Sequence, residues 1–510
     1  MIEEVTELVE RRDFPSGLFL EVDESIDRLL LIPRPNVQAF EQNFNDIWTS
    51  LMDANVVSIG IYGMGGVGKT TLARHVHDKL KESTFLGHVY WVTVSQEFSP
   101  YKLQTDIARE LNPDMTCEND KGKMAAKLFQ EFQKKKRFVL ILDDVWERID
   151  AEEIGIPSKM DGSKLVITSR LEKVCHRMCC KKIIKVNTLS EQEALDLFLK
   201  TLDCDEPSLE VKEICKKMVK RCGGLPLAII TLARSMMGVN DIHEWRDASE
   251  RLKESCTKED EMEIRVLRIL SYSYQRLRDT RLQHCFLYCS LYPEDFRIMR
   301  KELIGNFISE ELMDRRLSWQ AEVNQGHAIL NQLERACLLE SDSYGGLKMH
   351  DLIREMAIGI AKDNPRYMVK AGLHLKELPE EQEWTEDLDK VSLMLNSIEE
   401  ISPGTSPKCP SLSTLILREN PLRLIPDCFF TQMCGLRTLD LRKTDIESLP
   451  NSISDLVELN ALVLTGCRQL VSVPSLEKLE KLRYLELSST RIEEVPEDSH
   501  IFSCSSCHII

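Results

Sequence analysis

No stretch of this chain is apolar for long enough to cross a bilayer. The longest candidate, Leu225–Val239, is interrupted by Arg234 and falls short of the roughly 20 apolar residues that a membrane helix needs. The N-terminus, MIEEVTELVE, is acidic and has no apolar core of the kind a secretory leader carries. Ile2 stands where N-myristoylation needs glycine. Positive charge is also scarce: 66 Lys and Arg against 83 Asp and Glu leave a net charge of −17, the opposite of what a binder of nucleic-acid phosphates presents. The 17 cysteines are odd in number and form no spaced framework, which in a chain without a leader points to reduced thiols inside the cell. What is present is an ordinary globular balance, 43% hydrophobic and 29% charged, in 510 residues. That is too long for one core, so three or four domains are expected.

Residues 1–50 read as a short acidic lead, broken by Pro33 and Pro35, followed by a helix around Phe40–Met52. Beyond it, the apolar runs Val56–Tyr62, Val89–Val94, Phe138–Leu142, Leu165–Thr168 and Ile183–Val186 alternate with helical stretches. The runs are short, rich in Val and Ile, and do not alternate with polar residues, as expected of strands buried on both faces of a parallel sheet. Ser99-Pro100 places an N-cap before a proline at the first helical position. Residues 188–370 have helical periodicity, opened by a capping-box pattern at Ser190 and Glu193 and broken at Gly223-Gly224-Leu225-Pro226.

From 385 to 496 the sequence repeats. A Leu-x-x-Leu-x-Leu template begins at Leu388, Leu412, Leu436, Leu459 and Leu482, with starts 24, 24, 23 and 23 residues apart. Val391 replaces the second Leu of the first unit. Asn396, Asn420, Thr444, Cys467 and Thr490 share one offset, and the later units end in apolar-Pro pairs such as Ile425-Pro426 and Val473-Pro474. This is the leucine-rich repeat, in which each unit lays one strand on a concave face and buries its apolar side only against its neighbours. A set of amphipathic helices would not hold this template. The tail 498–510 leaves the repeat without an evident cap.

Gly63-Met-Gly-Gly-Val-Gly68-Lys69-Thr70-Thr71 matches the P-loop pattern. Gly63, Gly65, Gly66 and Gly68 let backbone N–H groups wrap phosphates, Lys69 places a cation on the β- and γ-oxygens, and Thr70 offers a hydroxyl to Mg²⁺. The helix that starts near Thr71 points its positive end at the anion. Phe138–Leu142 with Asp143-Asp144 reads as a strand ending in carboxylates beside that loop. Asp143 is a candidate Mg²⁺ ligand and Asp144 a candidate general base. A third strand ends at Arg170, where a cation could sense a γ-phosphate.

Three patterns invite other readings. Cys504-Ser-Ser-Cys507-His508 matches a haem attachment site, but haem attachment needs export, so no haem is expected. Cys175-His176 with Cys179-Cys180 has no second ligand pair at a zinc spacing and reads as ordinary thiols. Lys134-Lys135-Lys136-Arg137 reads as a solvated helix end.

Taken together, the chain over about 36–496 resembles plant nucleotide-binding leucine-rich-repeat disease-resistance proteins of the non-TIR, coiled-coil class, with the N-terminal coiled-coil domain of that family missing. The carrying stretches, in family order, are 63–71, His88–Val94, Leu142-Asp-Asp-Val-Trp146, Gly162–Arg170, Cys222–Ala228, Cys285–Asp295 and Met349-His350-Asp351. The resemblance implies a multidomain α/β chain. After an N-terminal linker (1–35) it has a P-loop parallel-sheet subdomain (36–186), a helical bundle (187–260) and a winged helix (261–370). A linker (371–387), leucine-rich repeats (388–497) and a divergent tail (498–510) follow. It also implies ATP/ADP with Mg²⁺, Pro226 against the adenine, and His350 on the β-phosphate of ADP as a latch. Its expected partners are a pathogen effector, or a host protein altered by one, and further copies of itself when ATP-bound. Its expected place is the cytoplasm or the periphery of the plasma membrane. The competing readings are a turnover ATPase, a non-signalling interaction protein that binds a relative or an effector, and a DNA-binding regulator, which the acidic charge disfavours.

Overall fold

The computed structural model describes residues 38–492, apart from 83–86, 95–98, 113–114, 116–119, 136, 158–161, 204–206, 256–260, 278, 343–344 and 363–365, together with 508–509. Helix α1 (Gln38–Met52) leads to strand β1 (Ser58–Tyr62), the P-loop and α2 (Lys69–Glu82). Then follow β2 (His88–Thr93), α3 (Pro100–Leu111), α4 (Lys121–Lys134), β3 (Phe138–Asp143), α5 (Ala151–Ile154), β4 (Lys164–Ser169), α6 (Glu172–Arg177) and β5 (Lys182–Lys185). All five expected strands form, in one parallel sheet of order β2-β3-β4-β1-β5. Strands β3 and β4 are buried at every residue, which is why their sequences are unbroken apolar runs. Ser99 caps α3, accepting from the Lys102 N–H at 3.2 Å. Helix α2 starts at Lys69, two residues before the expected Thr71, so the P-loop lysine itself begins the helix.

Strand order places β1 between β4 and β5, with the connections running to opposite sides. A crevice therefore opens at the C-terminal ends of β1, β3 and β4, where such sheets bind ligands. The P-loop, Asp143 and Arg170 all leave the sheet at this edge.

Four helices come next: α7 (Glu191–Leu202), α8 (Leu209–Arg221), α9 (Pro226–Ser235) and α10 (Ile242–Ser255). The capping box forms at α7, with the Ser190 and Glu193 side chains each satisfying the other's backbone N–H. At the Gly-Gly break, Gly224 has φ +73°, and a Cβ there would stand 2.2 Å from the Leu189 carbonyl oxygen. Only glycine permits that approach. The chain continues through α11 (Met262–Gln275), α12 (Thr280–Cys289), β6 (Ile298–Met299), α13 (Arg300–Ser309), α14 (Trp319–Arg335), β7 (Glu340–Ser341), β8 (Gly346–Lys348) and α15 (Asp351–Ile360). Its three short strands form an antiparallel sheet of order β6-β8-β7 against these helices, as in a winged helix.

The repeats form a second parallel sheet from β9 (Arg366–Val369), β10 (Leu388–Ser392), β11 (Thr414–Ile416), β12 (Thr438–Asp440), β13 (Ala461–Val463), β14 (Tyr484–Glu486) and β15 (His508–Ile509). The shared polar offset has a plain cause. Asn396 Nδ2 donates to the Leu393 and Lys370 carbonyls, and Asn420 Nδ2 to those of Leu417 and Leu393. Thr444, Cys467 and Thr490 satisfy fewer carbonyls with one donor each. Two features depart from the sequence reading. Strand β9 lies in the span expected of the winged helix, yet pairs with β10; it carries no Leu-x-x-Leu-x-Leu, so nothing in its sequence marks it as part of the solenoid. His508–Ile509, in the tail expected to leave the repeat, pairs in parallel with β14. The Cys504 and Cys507 of the haem-like pattern lie outside the described residues, and no helix among those described is long and apolar enough to cross a membrane.

Between the P-loop sheet, the winged helix and the first repeats lies a cleft of about 620 Å³, with Trp91, Arg109, Glu294, Asp295 and Arg354 among its walls. Burial, then the Asp351 charge, pushes the Glu294 carboxyl up to about 7. Burial and Asp351 likewise push Asp295 up to about 7. A raised carboxyl favours its protonated form in the fold, so its destabilising effect grows as pH rises from the unfolded value to the folded one and is complete above it. Glu294→Gln should therefore raise the thermal midpoint at pH 8 and leave it nearly unchanged at pH 4.5, as read by differential scanning fluorimetry. In the repeats, fully buried Leu439 sets the second expectation: Leu439→Ala should cost about 2–5 kcal/mol, measured by chemical denaturation.

Candidate functional site

The P-loop follows β1, and its glycines shape it against a neighbouring helix. Gly66 has φ +72°, and a Cβ there would sit 2.9 Å from Leu227 Cβ. The Leu227 N–H donates to the Gly66 carbonyl at 3.2 Å. Pro226, at the first position of α9, is thereby held beside the loop: its fixed φ starts the helix, and the next residue ties that helix to the P-loop. Gly68 has φ +100° with open space where a side chain would be, leaving the backbone accessible to a ligand.

Lys69 is buried, and its Nζ donates to the Gly63 and Met64 carbonyls at 2.9 and 3.0 Å. Burial, together with the nearby Arg170 charge, lowers its ammonium to about 8 against the pull of Asp144 and Asp143. Thr70 Oγ1 donates to Asp143 Oδ1 at 3.1 Å. Thr71 follows, half-buried in the first turn of α2. Asp143 closes β3 and accepts a second hydrogen bond, at 2.6 Å, from Thr168 Oγ1 on β4. Burial raises its carboxyl despite these two hydrogen bonds. The pair Thr70 and Asp143 is a hard-oxygen set of the kind Mg²⁺ takes, so the residues fit that ion.

Asp144 leaves the strand in the left-handed region, φ 57°, which Asp tolerates better than most residues. Its N–H donates to Thr168 Oγ1 at 2.8 Å, and its Oδ2 accepts from Trp146 Nε1 at 2.9 Å. Burial, then the charge of Asp351, pushes its carboxyl up to about 6. The Trp146 ring in turn lies 4.3 Å from the Arg170 guanidinium, a cation–π contact. Arg170 Nη2 donates to Asp351 Oδ2 at 2.6 Å, with both side chains 18% exposed. Asp351 is the first residue of α15, and His350 is its N-cap, its Nδ1 accepting from the Leu352 N–H at 3.2 Å. In a neutral imidazole that leaves the proton on Nε2. Leu352 stands 3.4 Å from the place of a Gly65 Cβ, so the start of α15 covers the P-loop.

The structure therefore gathers the set named from the sequence out of five separate segments: the P-loop, the end of β3, the end of β4, the α9 start and the α15 start. Sequence reasoning gave Thr168 no role, although it tethers both aspartates. The signal was there, a hydroxyl at the end of a buried parallel strand beside the P-loop strand. Trp146 enters the sequence reading only as the end of the Leu142–Trp146 stretch, and its link between Asp144 and Arg170 emerges only in the fold. The thiols of Cys175 and Cys180 lie 2.8 and 3.2 Å from the place of a Gly60 Cβ, behind β1 and away from this edge.

Comparison with known proteins agrees with this arrangement. The NB-ARC domain family matches residues 40–203, and the leucine-rich-repeat family matches 410–468. A putative disease resistance protein of Arabidopsis thaliana is 36% identical over 525 residues, covering 94% of this chain and 57% of that protein. A probable disease resistance protein of the same plant is 37% identical over 500 residues, covering 94% of this chain and 54% of its own length. The chain thus spans about half the length of the curated relatives it matches. Among solved structures, a signal-transduction ATPase with a tetratricopeptide-repeat sensor from Pyrococcus horikoshii aligns at 17% identity and a TM-score of 0.39, covering 64% of this chain and 43% of that one. With a P-loop sheet that matches the NB-ARC domain and parallel repeats that match the leucine-rich-repeat family, the chain carries both domains and is a homologue, over most of its own length, of plant disease-resistance proteins.

Proposed function

We propose that this chain is the nucleotide switch and the sensing repeats of a plant immune receptor, closed with ADP and opened with ATP. The observation that carries the reading is the Arg170–Asp351 hydrogen bond at 2.6 Å. It joins the strand end nearest a γ-phosphate position to the winged helix, so one cation serves two competing partners. In the closed form Arg170 is held by Asp351. A third phosphate offers Arg170 a rival anion, and turning to it would release α15. Such an exchange shifts an equilibrium only because the two nucleotides contact the two states differently.

The other residues take these proposed roles. The N–H groups of Gly63, Gly65, Gly66 and Gly68 cradle the phosphates, and Lys69 neutralises their charge. Thr70 and Asp143 would hold Mg²⁺, which supplies positive charge between phosphate oxygens when bound. Thr71 continues the phosphate contact, and Pro226 lies against the adenine. His350 Nε2–H donates to the β-phosphate of ADP, in the tautomer that its capping bond selects. Asp144 orients a water for slow hydrolysis that resets the switch; a carboxyl near 6 is mostly ionised at neutral pH and competent for that role. A pathogen effector, or a host protein it has altered, acts on the repeats, and the ATP form assembles with further copies in the cytoplasm or at the plasma-membrane periphery.

The test is the nucleotide that co-purifies with the protein, identified by ion exchange after denaturation. Stoichiometric ADP is expected, and Lys69→Ala should bind nucleotide at least roughly tenfold more weakly, the value of one charge-assisted hydrogen bond. A folded wild-type protein with neither bound nor exchangeable nucleotide would overturn the switch. His350→Ala and Asp351→Val should each release ADP faster and raise the ATP fraction. Unchanged ADP retention in both variants would remove the latch.

A further inference from the structure

The P-loop sheet has two edges, and the nucleotide site takes only one of them. At the other lie the N-terminal ends of its parallel strands. Arg137 comes just before β3 and is exposed, and Lys135, half-buried, stands two residues earlier, past the end of α4. Lys181 precedes β5 and Lys182 opens it, and both are exposed. Strand order puts three spacings between β3 and β5, roughly 14 Å. The strand starts form one continuous rim: the Phe138 N–H donates to Ser163 Oγ at 3.1 Å, the Leu165 N–H to the Val57 carbonyl at 3.0 Å, and the Lys181 N–H to the Ser58 carbonyl at 3.0 Å.

Between these two cationic flanks the rim is apolar. Met52 is 54% and Val57 43% exposed. They bracket a turn that the fold holds firmly. Buried Lys164, at the start of β4, donates through Nζ to the Asp53 carbonyl at 2.5 Å and also to that of Val56. The Val56 N–H donates to the Asp53 carbonyl at 3.2 Å. Asp53 carries the one carboxylate of the turn, and its Oδ1 accepts from the Asn55 N–H and Nδ2 at 2.9 and 3.2 Å.

Lys134 pairs with Glu131 at 2.5 Å. Lys135, Arg137, Lys181 and Lys182 have no ion pair among the described residues. A cation at a helix end answers the negative end of the dipole, which accounts for Lys134 and Lys135. It accounts neither for Lys181 and Lys182, at the start of a strand, nor for two large apolar side chains held in water between the flanks. In a chain of net charge −17, unpaired cations gathered around apolar residues match an anionic lipid surface. Such a surface takes cations at its headgroups and apolar side chains just below them. A nucleic acid would engage the cations and leave Met52 and Val57 unused.

We propose that the N-terminal rim of the P-loop sheet docks on an anionic lipid bilayer, with Met52 and Val57 in the headgroup layer and Lys135, Arg137, Lys181 and Lys182 on lipid phosphates. The proposal rests on the membrane-periphery placement given above, not on the switch, and supplies the surface for it. Strand β1 separates the rim from the P-loop by five residues, roughly 16 Å. A docked chain therefore keeps its nucleotide edge away from the bilayer and free to exchange.

The test is sedimentation of the full chain with vesicles of phosphatidylcholine alone, and of phosphatidylcholine and phosphatidylserine in equal parts. Wild type should partition at least roughly tenfold more strongly onto the mixed vesicles, and less so as salt rises. Each cation near such a surface contributes about fivefold. Lys181→Gln with Lys182→Gln should thus weaken partition at least roughly tenfold, and so should Lys135→Gln with Arg137→Gln on the other flank. Met52→Ser with Val57→Ser should weaken it severalfold and keep its salt dependence. Equal partition onto the two kinds of vesicle, or no loss in either Gln double variant, would overturn the proposal. So would full binding by the Ser double variant together with equally tight binding of duplex DNA, which would make the rim a nucleic-acid contact. Bound nucleotide is measured in the same samples and should match wild type in every variant: its absence from wild type counts against the switch, while vesicle partition judges the rim separately.

Discussion

The arrangement of the whole chain turns on one contact, the Arg170 guanidinium on the Asp351 carboxylate. It is a charge-assisted hydrogen bond in a partly dehydrated place, flanked by the Trp146 ring on one side and the P-loop on the other. Removing either partner leaves the other charge unpaired at the edge of a nucleotide site, which is why such contacts are all-or-none rather than graded. Leu352 is seated over Gly65 beside that pairing, and Asp144, Glu294 and Asp295 lie within reach of the Asp351 charge. Their carboxyls are raised by burial first and by that charge second. This arrangement holds negative charge close together, with Lys69 and Arg170 as the cations among the carboxylates.

The fold was legible in the sequence wherever one physical demand wrote a pattern along contiguous residues. The central strands β3 and β4 are unbroken apolar runs because they are buried throughout, and the apolar runs marked all five strands even though the edge strands β2 and β5 are partly exposed. A P-loop needs glycines where the backbone must turn inward, and they stand at 63, 65, 66 and 68. The repeats announce themselves because each turn must satisfy the same carbonyls, so Asn recurs at 396 and 420. Strand β9 was not legible because Arg366–Val369 needs only to fill the end of a sheet that others define. It carries no template of its own.

The site was partly legible, and the division is instructive. Residues that act on a ligand by their own chemistry, Lys69, Thr70, Asp143 and Arg170, could be named from motif and position. Residues that act through a neighbour could not. Thr168 matters because two aspartates converge on one hydroxyl, and Trp146 because its N–H and its ring face address different partners. The ion pairs between the repeats and the α13 region are a sharper case. Lys390 within β10, and Arg418 and Arg442 just after β11 and β12, occupy positions that a repeat leaves free to vary, so their charge carries no signal until Glu310 is seen beside Lys390 and Glu302 beside the two arginines.

Strand β9 has a mechanical consequence. It follows α15 by a few residues, the Tyr367 N–H is bonded to the Ala361 carbonyl at 2.7 Å, and it forms the first rung of the repeat sheet. The repeats are thus joined at one end to α15, whose first residues are His350 and Asp351, while β14 lies five strand spacings away, roughly 24 Å at ordinary sheet geometry. Arg483, just before β14, is in turn paired with Glu322 of α14. The sheet is therefore held at both ends, as a plank is on two supports, and a load on the far rung is shared between α14 and α15 instead of being carried by one helix.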